Sequence, residues 1–149
     1  MTAAPDQLSY LQSVNDRVNA LVYQATGSDQ DRDDWVDNPE PGKVWQCRDY
    51  ATDKAKLMRE QGWPFIDMGW VLCMTEVFAD PSFPDKPPAR YYHCVEFARA
   101  GNVVYILDNR APAVYRADAP PYDYQWVHQQ THEPGSSEVT WRDASDGLV

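Results

Sequence analysis

The chain has 149 residues, a mass of 17.1 kDa and a formal net charge of −10, with 23 acidic against 13 basic side chains. That length suits one domain with an ordinary core. The charge disfavours phosphate backbones and anionic lipid as partners, and no apolar run approaches the ~18 residues of a membrane span, so neither nucleic acid nor membrane is expected.

Leu, Ile, Val and Phe are sparse, but six Trp, nine Tyr and four Met supply large apolar side chains, which predicts an aromatic-heavy core. The start of the chain carries neither a basic stretch nor an apolar region of signal-peptide type, and Cys47, Cys73 and Cys94 form no C-x-x-C pair. Both features predict a reducing, cytoplasmic setting, no structural zinc, and free thiols.

Leu8, Leu11, Val14, Val18, Leu21 and Val22 recur at spacings of three and four, which predicts a helix from Asp6 or Ser9 to a stop at Gly27. Residues 28–42 are polar, acidic and rich in breakers, so a loop follows. Residues 47–61 are good helix formers, with Asp49 in the first turn and Gly62-Trp63-Pro64 as the stop. This predicts a second helix with Tyr50, Ala51, Lys54, Ala55 and Met58 on one face. Residues 65–77 then alternate as a strand with Met68, Trp70, Leu72 and Met74 on one side. After a proline-rich loop at 80–89, residues 91–99 and 102–109 form a hairpin about Ala100-Gly101. Short strands are expected at 114–116 and 124–132, and residues 133–149 read as a polar tail behind a single domain of residues 1–132. Helices first and antiparallel strands afterwards indicate an α+β fold, with the helices on one face of the sheet.

A helix N-terminus lowers the pKa of a thiol through its unpaired N–H groups and dipole, and Cys47 stands at such a position, whereas Cys73 and Cys94 lie inside strands. A turn centred on Ala100-Gly101 sets His93 directly opposite Asp108, close enough for the carboxylate to orient the imidazole. A helix-start Cys with His and Asp on neighbouring strands is the arrangement of papain-like and transglutaminase-like thiol enzymes.

The blocks Leu11-Gln12-Ser13-Val14-Asn15-Asp16-Arg17-Val18-Asn19, Trp35, Pro39-Glu40, Cys47-Arg48-Asp49-Tyr50-Ala51-Thr52-Asp53-Lys54, Leu57 to Gly62, His93-Cys94-Val95-Glu96-Phe97 and Ile106-Leu107-Asp108-Asn109 occur in order. In these the chain resembles the bacterial transglutaminase-like cysteine peptidases, members of which cleave surface adhesins in the periplasm. The resemblance implies a papain/transglutaminase-like core, Cys47 as nucleophile, His93 as base and then acid, Asp108 as its orienting residue, and a protein or peptide substrate. The oxyanion donors it implies are the Cys47 N–H and one of Gln46, Trp45 or the loop that begins at Trp35. The family places acidic, calcium-binding residues beside the Cys. Here Gln46 and Arg48 stand there, so neither calcium nor another cofactor or metal is expected.

The expected activity is therefore that of a cysteine hydrolase, peptidase or amidase. The alternatives are a catalytically silent acidic binding module on the same fold, of bacterial or phage type, and a glutamine–lysine transamidase. His128 and His132 read as solvent-exposed strand residues rather than a metal pair, and Asp29, Asp31, Asp33 and Asp34 as a solvated loop.

Overall fold

The computed structural model describes residues 5–20, 46–77, 79, 84–132 and 138–149. Among these residues two helices, α1 (Pro5–Asn19) and α2 (Gln46–Glu60), precede a 3₁₀ turn at Phe65–Asp67. Six strands follow: β1 (Met68–Met74), β2 (Tyr92–Ala100), β3 (Val103–Leu107), β4 (Tyr115–Arg116), β5 (Gln125–His132) and β6 (Val139–Asp143). The strands form one antiparallel sheet in the order β4-β3-β2-β1-β5-β6. The fold is α+β, as the element order predicts. No helix among the described residues is long and apolar enough to cross a membrane.

Both helices bury the faces that their periodicity marks. Leu11, Val14 and Val18 of α1 and Ala51, Lys54 and Met58 of α2 are buried, whereas Leu8 lies at the exposed end of its stripe. Leu21, Val22 and the Gly27 stop lie outside the described residues. One core joins Leu11, Val14 and Met58 to Met68, Ala98, Ala100, Val103, Tyr105 and Leu107. A second, on the other side of the sheet, gathers Val71, Val95, Phe97, Ile106 and Ala117. The helices thus cover the face of β2 that bears Cys94, Glu96 and Ala98. From the sequence, a triad across the helix–sheet junction requires α2 on the face of His93, Val95 and Phe97; the structure sets α2 on the opposite face. Helical periodicity identifies the buried face of a helix but not which face of a sheet receives it.

α2 is seated at both ends. Near its start the Arg48 guanidinium lies 5.0 Å from the Trp70 ring centre. At its end the Trp63 N–H donates to Met58 O at 2.9 Å, and Arg59 sits 4.7 Å from the Phe65 ring. Phe65 in turn lies against His132, ring centres 3.9 Å apart and the planes tilted by 34°. His132 is therefore buried, with Nε2 at 2.8 Å from Met68 O, and is not the exposed residue that its polar neighbours suggest. His128, on the same strand, is exposed.

The β2–β3 turn differs by one position from the centre that Ala100-Gly101 suggests. Ala100 pairs with Val103, so the two turn residues are Gly101 and Asn102. Gly101 takes φ +63° at the first of them, where a type II′ hairpin turn requires positive φ. Residues 139–143, read above as part of a polar tail, pair with β5 as the edge strand β6. Mostly exposed side chains on both of its faces leave no hydrophobic alternation to read.

Candidate active site

The β2–β3 ladder ends at the Glu96–Leu107 pair. Toward β3, the residues of β2 from Tyr92 to Val95 therefore have no strand beside them. α2 delivers its N-terminus at this opening, which lets a helix on the opposite face of the sheet bring Cys47 to His93. The His93 ring bonds Asp108 on one side, and the Cys47 side chain lies close enough to act on it from α2. Its Nε2 lies 2.8 Å from Asp108 Oδ1, so the nitrogen left for the thiol is Nδ1.

Asp108 is fully buried and its carboxylate takes four hydrogen bonds. His93 Nε2 and the Arg110 backbone N–H, at 2.9 Å, share Oδ1. The hydroxyls of Tyr115 and Tyr124 both donate to Oδ2 at 2.8 Å. From below, Asn19 of α1 donates to the Asp108 backbone carbonyl at 3.1 Å, and Asn15 to Ala111 O at 3.1 Å. The Asn-rich end of the first helix thus anchors the turn that presents the acid.

This surrounding sets the charges. Burial alone would raise the Asp108 carboxyl, but the bonds from His93, Arg110 and Tyr124 hold it well below the usual carboxylate range. Burial alone would lower His93, yet its bond to Asp108, the nearby Cys47 side chain and the charges of both push it up to about 9. An imidazolium is the ring's resting form at neutral pH. The Cys73 and Cys94 thiols are both pushed up by burial, as suits core cysteines.

Beneath the site, between α2 and β2, lie Lys54 and Glu96, both fully buried. Among the described residues neither the Lys54 ammonium nor either Glu96 oxygen has a hydrogen-bond partner. Burial brings Lys54 down to about 8 against the pull of Asp108 and Glu96. Burial also pushes the Glu96 carboxyl well up, against Lys54 and the nearby Gly69 backbone N–H.

Of the residues singled out in the sequence, the structure brings Cys47, His93 and Asp108 together. Trp35 and Trp45 lie outside the described residues, as do Asp29, Asp31, Asp33 and Asp34; of Gln46 only the backbone is described, as the first residue of α2. Tyr115, Tyr124 and Arg110 were not legible as site residues. Tyr124 begins a run that reads as an ordinary strand, and nothing in its spacing from Asp108 points to a shared bond.

The model of the family described as bacterial transglutaminase-like cysteine proteinase BTLCP matches residues 1–146. The chain belongs to this family. The calcium-bound structure of Legionella pneumophila LapG shares the fold, with a TM-score of 0.59 and 19% identity over 97% of this chain and 75% of that one. No curated protein matches the chain in sequence.

The residues beside Cys47 do not fit a calcium ion. Arg48 is buried, its guanidinium lies against Trp70, and its charge acts on Asp49, the one remaining acid of the run. A hard cation takes oxygen ligands, and a buried guanidinium at that place repels it. Among the described residues no three His, Cys, Asp or Glu side chains group as metal ligands.

Proposed function

We propose that the chain is a cysteine hydrolase that cleaves a protein or peptide substrate with Cys47, His93 and Asp108. The observation that carries this reading is the His93 ring, buried, bonded to Asp108 through Nε2 and acted on by the side chain of the helix-start Cys47. In this reading the Cys47 sulfur attacks the substrate carbonyl carbon as a thiolate. The C–N bond breaks, and the departing amine takes the proton from His93 Nδ1. Neutral His93 then takes a proton from water as its oxygen attacks the thioester, which releases the acid and restores the thiolate–imidazolium pair. Asp108 holds the ring in the required orientation and stabilises its charged form.

The oxyanion is met by the Cys47 backbone N–H, one of the first four in α2 and so without an intrahelical acceptor. Gln46, Trp45 and the loop that includes Trp35 are the sources proposed for the second donor.

A peptide library prepared from a bacterial lysate, incubated with wild type and with Cys47→Ala and read by mass spectrometry, tests the proposal. New termini that appear with wild type alone support it. Their absence from both samples favours a silent binding module, and glutamine–lysine isopeptides in their place identify a transamidase.

A further inference from the structure

Asp108 sits beyond the last rung of the β2–β3 ladder, so the sheet does not fix it. The turn that carries it is held instead by side chains, and the one that reaches furthest is Arg110. Its backbone N–H donates to Asp108 Oδ1. One guanidinium nitrogen, Nη1, donates to Glu76 Oε2 at 3.2 Å and to the Tyr124 hydroxyl at 3.1 Å, and Nη2 donates to the other Glu76 oxygen. The flat face of the group lies 4.4 Å from the Tyr122 ring, and the Tyr122 hydroxyl closes on Arg110 O at 2.8 Å.

Glu76 follows β1 and Arg110 follows β3, so the ion pair bridges across the end of β2, where His93 stands. Tyr124 accepts from Arg110 and donates its one proton to Asp108, which in turn accepts from His93. The bonds form a continuous chain from Glu76 through Arg110, Tyr124 and Asp108 to the ring.

We infer that Arg110, fixed by Glu76, is a positioning residue that keeps the Asp108 carboxylate on His93. The inference rests on the reading of His93 and Asp108 as the proton-handling pair and adds the device that holds them together. Arg suits the task because its planar fork spans both Glu76 oxygens while its face stacks on Tyr122, a combination that lysine lacks. The pair is about one-third exposed at each end, so its loss as an ion pair alone changes fold stability little.

The test reads the ring rather than turnover. The chain has three histidines, so the His93 ring can be followed by NMR. The charged and titratable groups facing it are Asp108 from the β3 turn, Cys47 from α2, Cys73 and Glu76 from β1 and the segment after it, and Tyr124 from the segment before β5.

Arg110→Ala decides by sign. Removal of a nearby positive charge raises an imidazole pKa by Coulomb's law, whereas release of Asp108 lowers it. The expected result is a fall of at least one unit in the His93 midpoint and loss of the hydrogen-bonded Nε2 proton, with the thermal midpoint within about 4 °C of wild type. An unchanged or raised midpoint overturns the inference. If Arg110→Ala fails to fold, Glu76→Gln takes its place: loss of the Nε2 proton resonance supports the inference and its retention overturns it. Neither readout depends on hydrolysis, so failure here is separable from failure of the proposed activity.

Discussion

Asp108 lies two residues short of the position opposite His93, and its carboxylate still meets the ring at 2.8 Å. The register that sets Glu96 opposite Leu107, if continued, would set His93 opposite Arg110. Residues two apart on a strand share a face, so the offset makes a diagonal contact and keeps carboxylate and imidazole on one side. Contact across a diagonal needs outside support, which Tyr115, Tyr124 and the Arg110 N–H supply.

Asp108→Asn is expected to lower kcat by about 10²–10⁴-fold on any peptide that the wild type cleaves, with far-ultraviolet circular dichroism unchanged. The amide can take the ring proton's place as donor and stabilise the wrong tautomer. Wild-type turnover in this variant would show that the His93–Asp108 contact is structural.

Stability should fall as the pH rises past neutrality. His93, raised from 6.5 to about 9, adds stability that is complete below about pH 6.5 and is lost as the pH rises through about 9. A shift of that size corresponds to an order of 3 kcal/mol. Lys54 runs the other way, with a folded value of about 8 against 10.5 unfolded, so its contribution grows from about pH 8 to 10.5. Glu96, pushed up by burial, loses stability with rising pH and so runs with His93. Urea unfolding from pH 6.5 to 8 isolates the ring if wild type is compared with His93→Gln. A smaller fall is expected in the variant, and parallel curves would contradict the assignment.

The Lys54–Glu96 layer makes opposite predictions for single and double replacement. Lys54→Met leaves a carboxyl buried with no cation near it and is expected to cost about 1–3 kcal/mol. Lys54→Met with Glu96→Leu removes both desolvated groups and should restore wild-type stability or exceed it by about 1–4 kcal/mol. Denaturant midpoints of the three proteins check this, and additive losses would refute the coupling.

Chelation should leave the protein unchanged. Because Arg48 and Gln46 flank Cys47, the thermal midpoint is expected to move by less than about 1 °C between excess chelator and millimolar calcium, and turnover to be equal in both. A calcium-dependent midpoint would direct attention to Asp29, Asp31, Asp33 and Asp34.

Much of this architecture is legible in the sequence because its local rules agree. Leu11, Val14 and Val18 mark α1, the run from Cys47 to Met58 marks α2, and Met68 to Met74 alternates as β1. The hairpin is legible but its turn lies one position further along, which shifts the pairing by two residues, since Gly101 alone does not say whether it is the first or second turn residue. The site is legible as three residue types at telling places. Its supports are not, because Tyr115, Tyr124 and Arg110 act through contacts that follow no sequence period. β6 is invisible for a related reason: an edge strand with Val139 and Trp141 both exposed carries no buried face to betray it.

α2 is fastened at its head by Arg48 on Trp70 and at its foot by the contacts of Arg59 with Phe65 and of Phe65 with His132. A beam held at both ends neither slides nor tilts without breaking one of its seats. Any travel of the Cys47 sulfur with the helix, beyond rotation about its own side-chain bond, therefore breaks one of these contacts. Under the proposed function, a substrate has to carry its carbonyl to that sulfur, and selectivity then rests with what can thread an extended chain up to it.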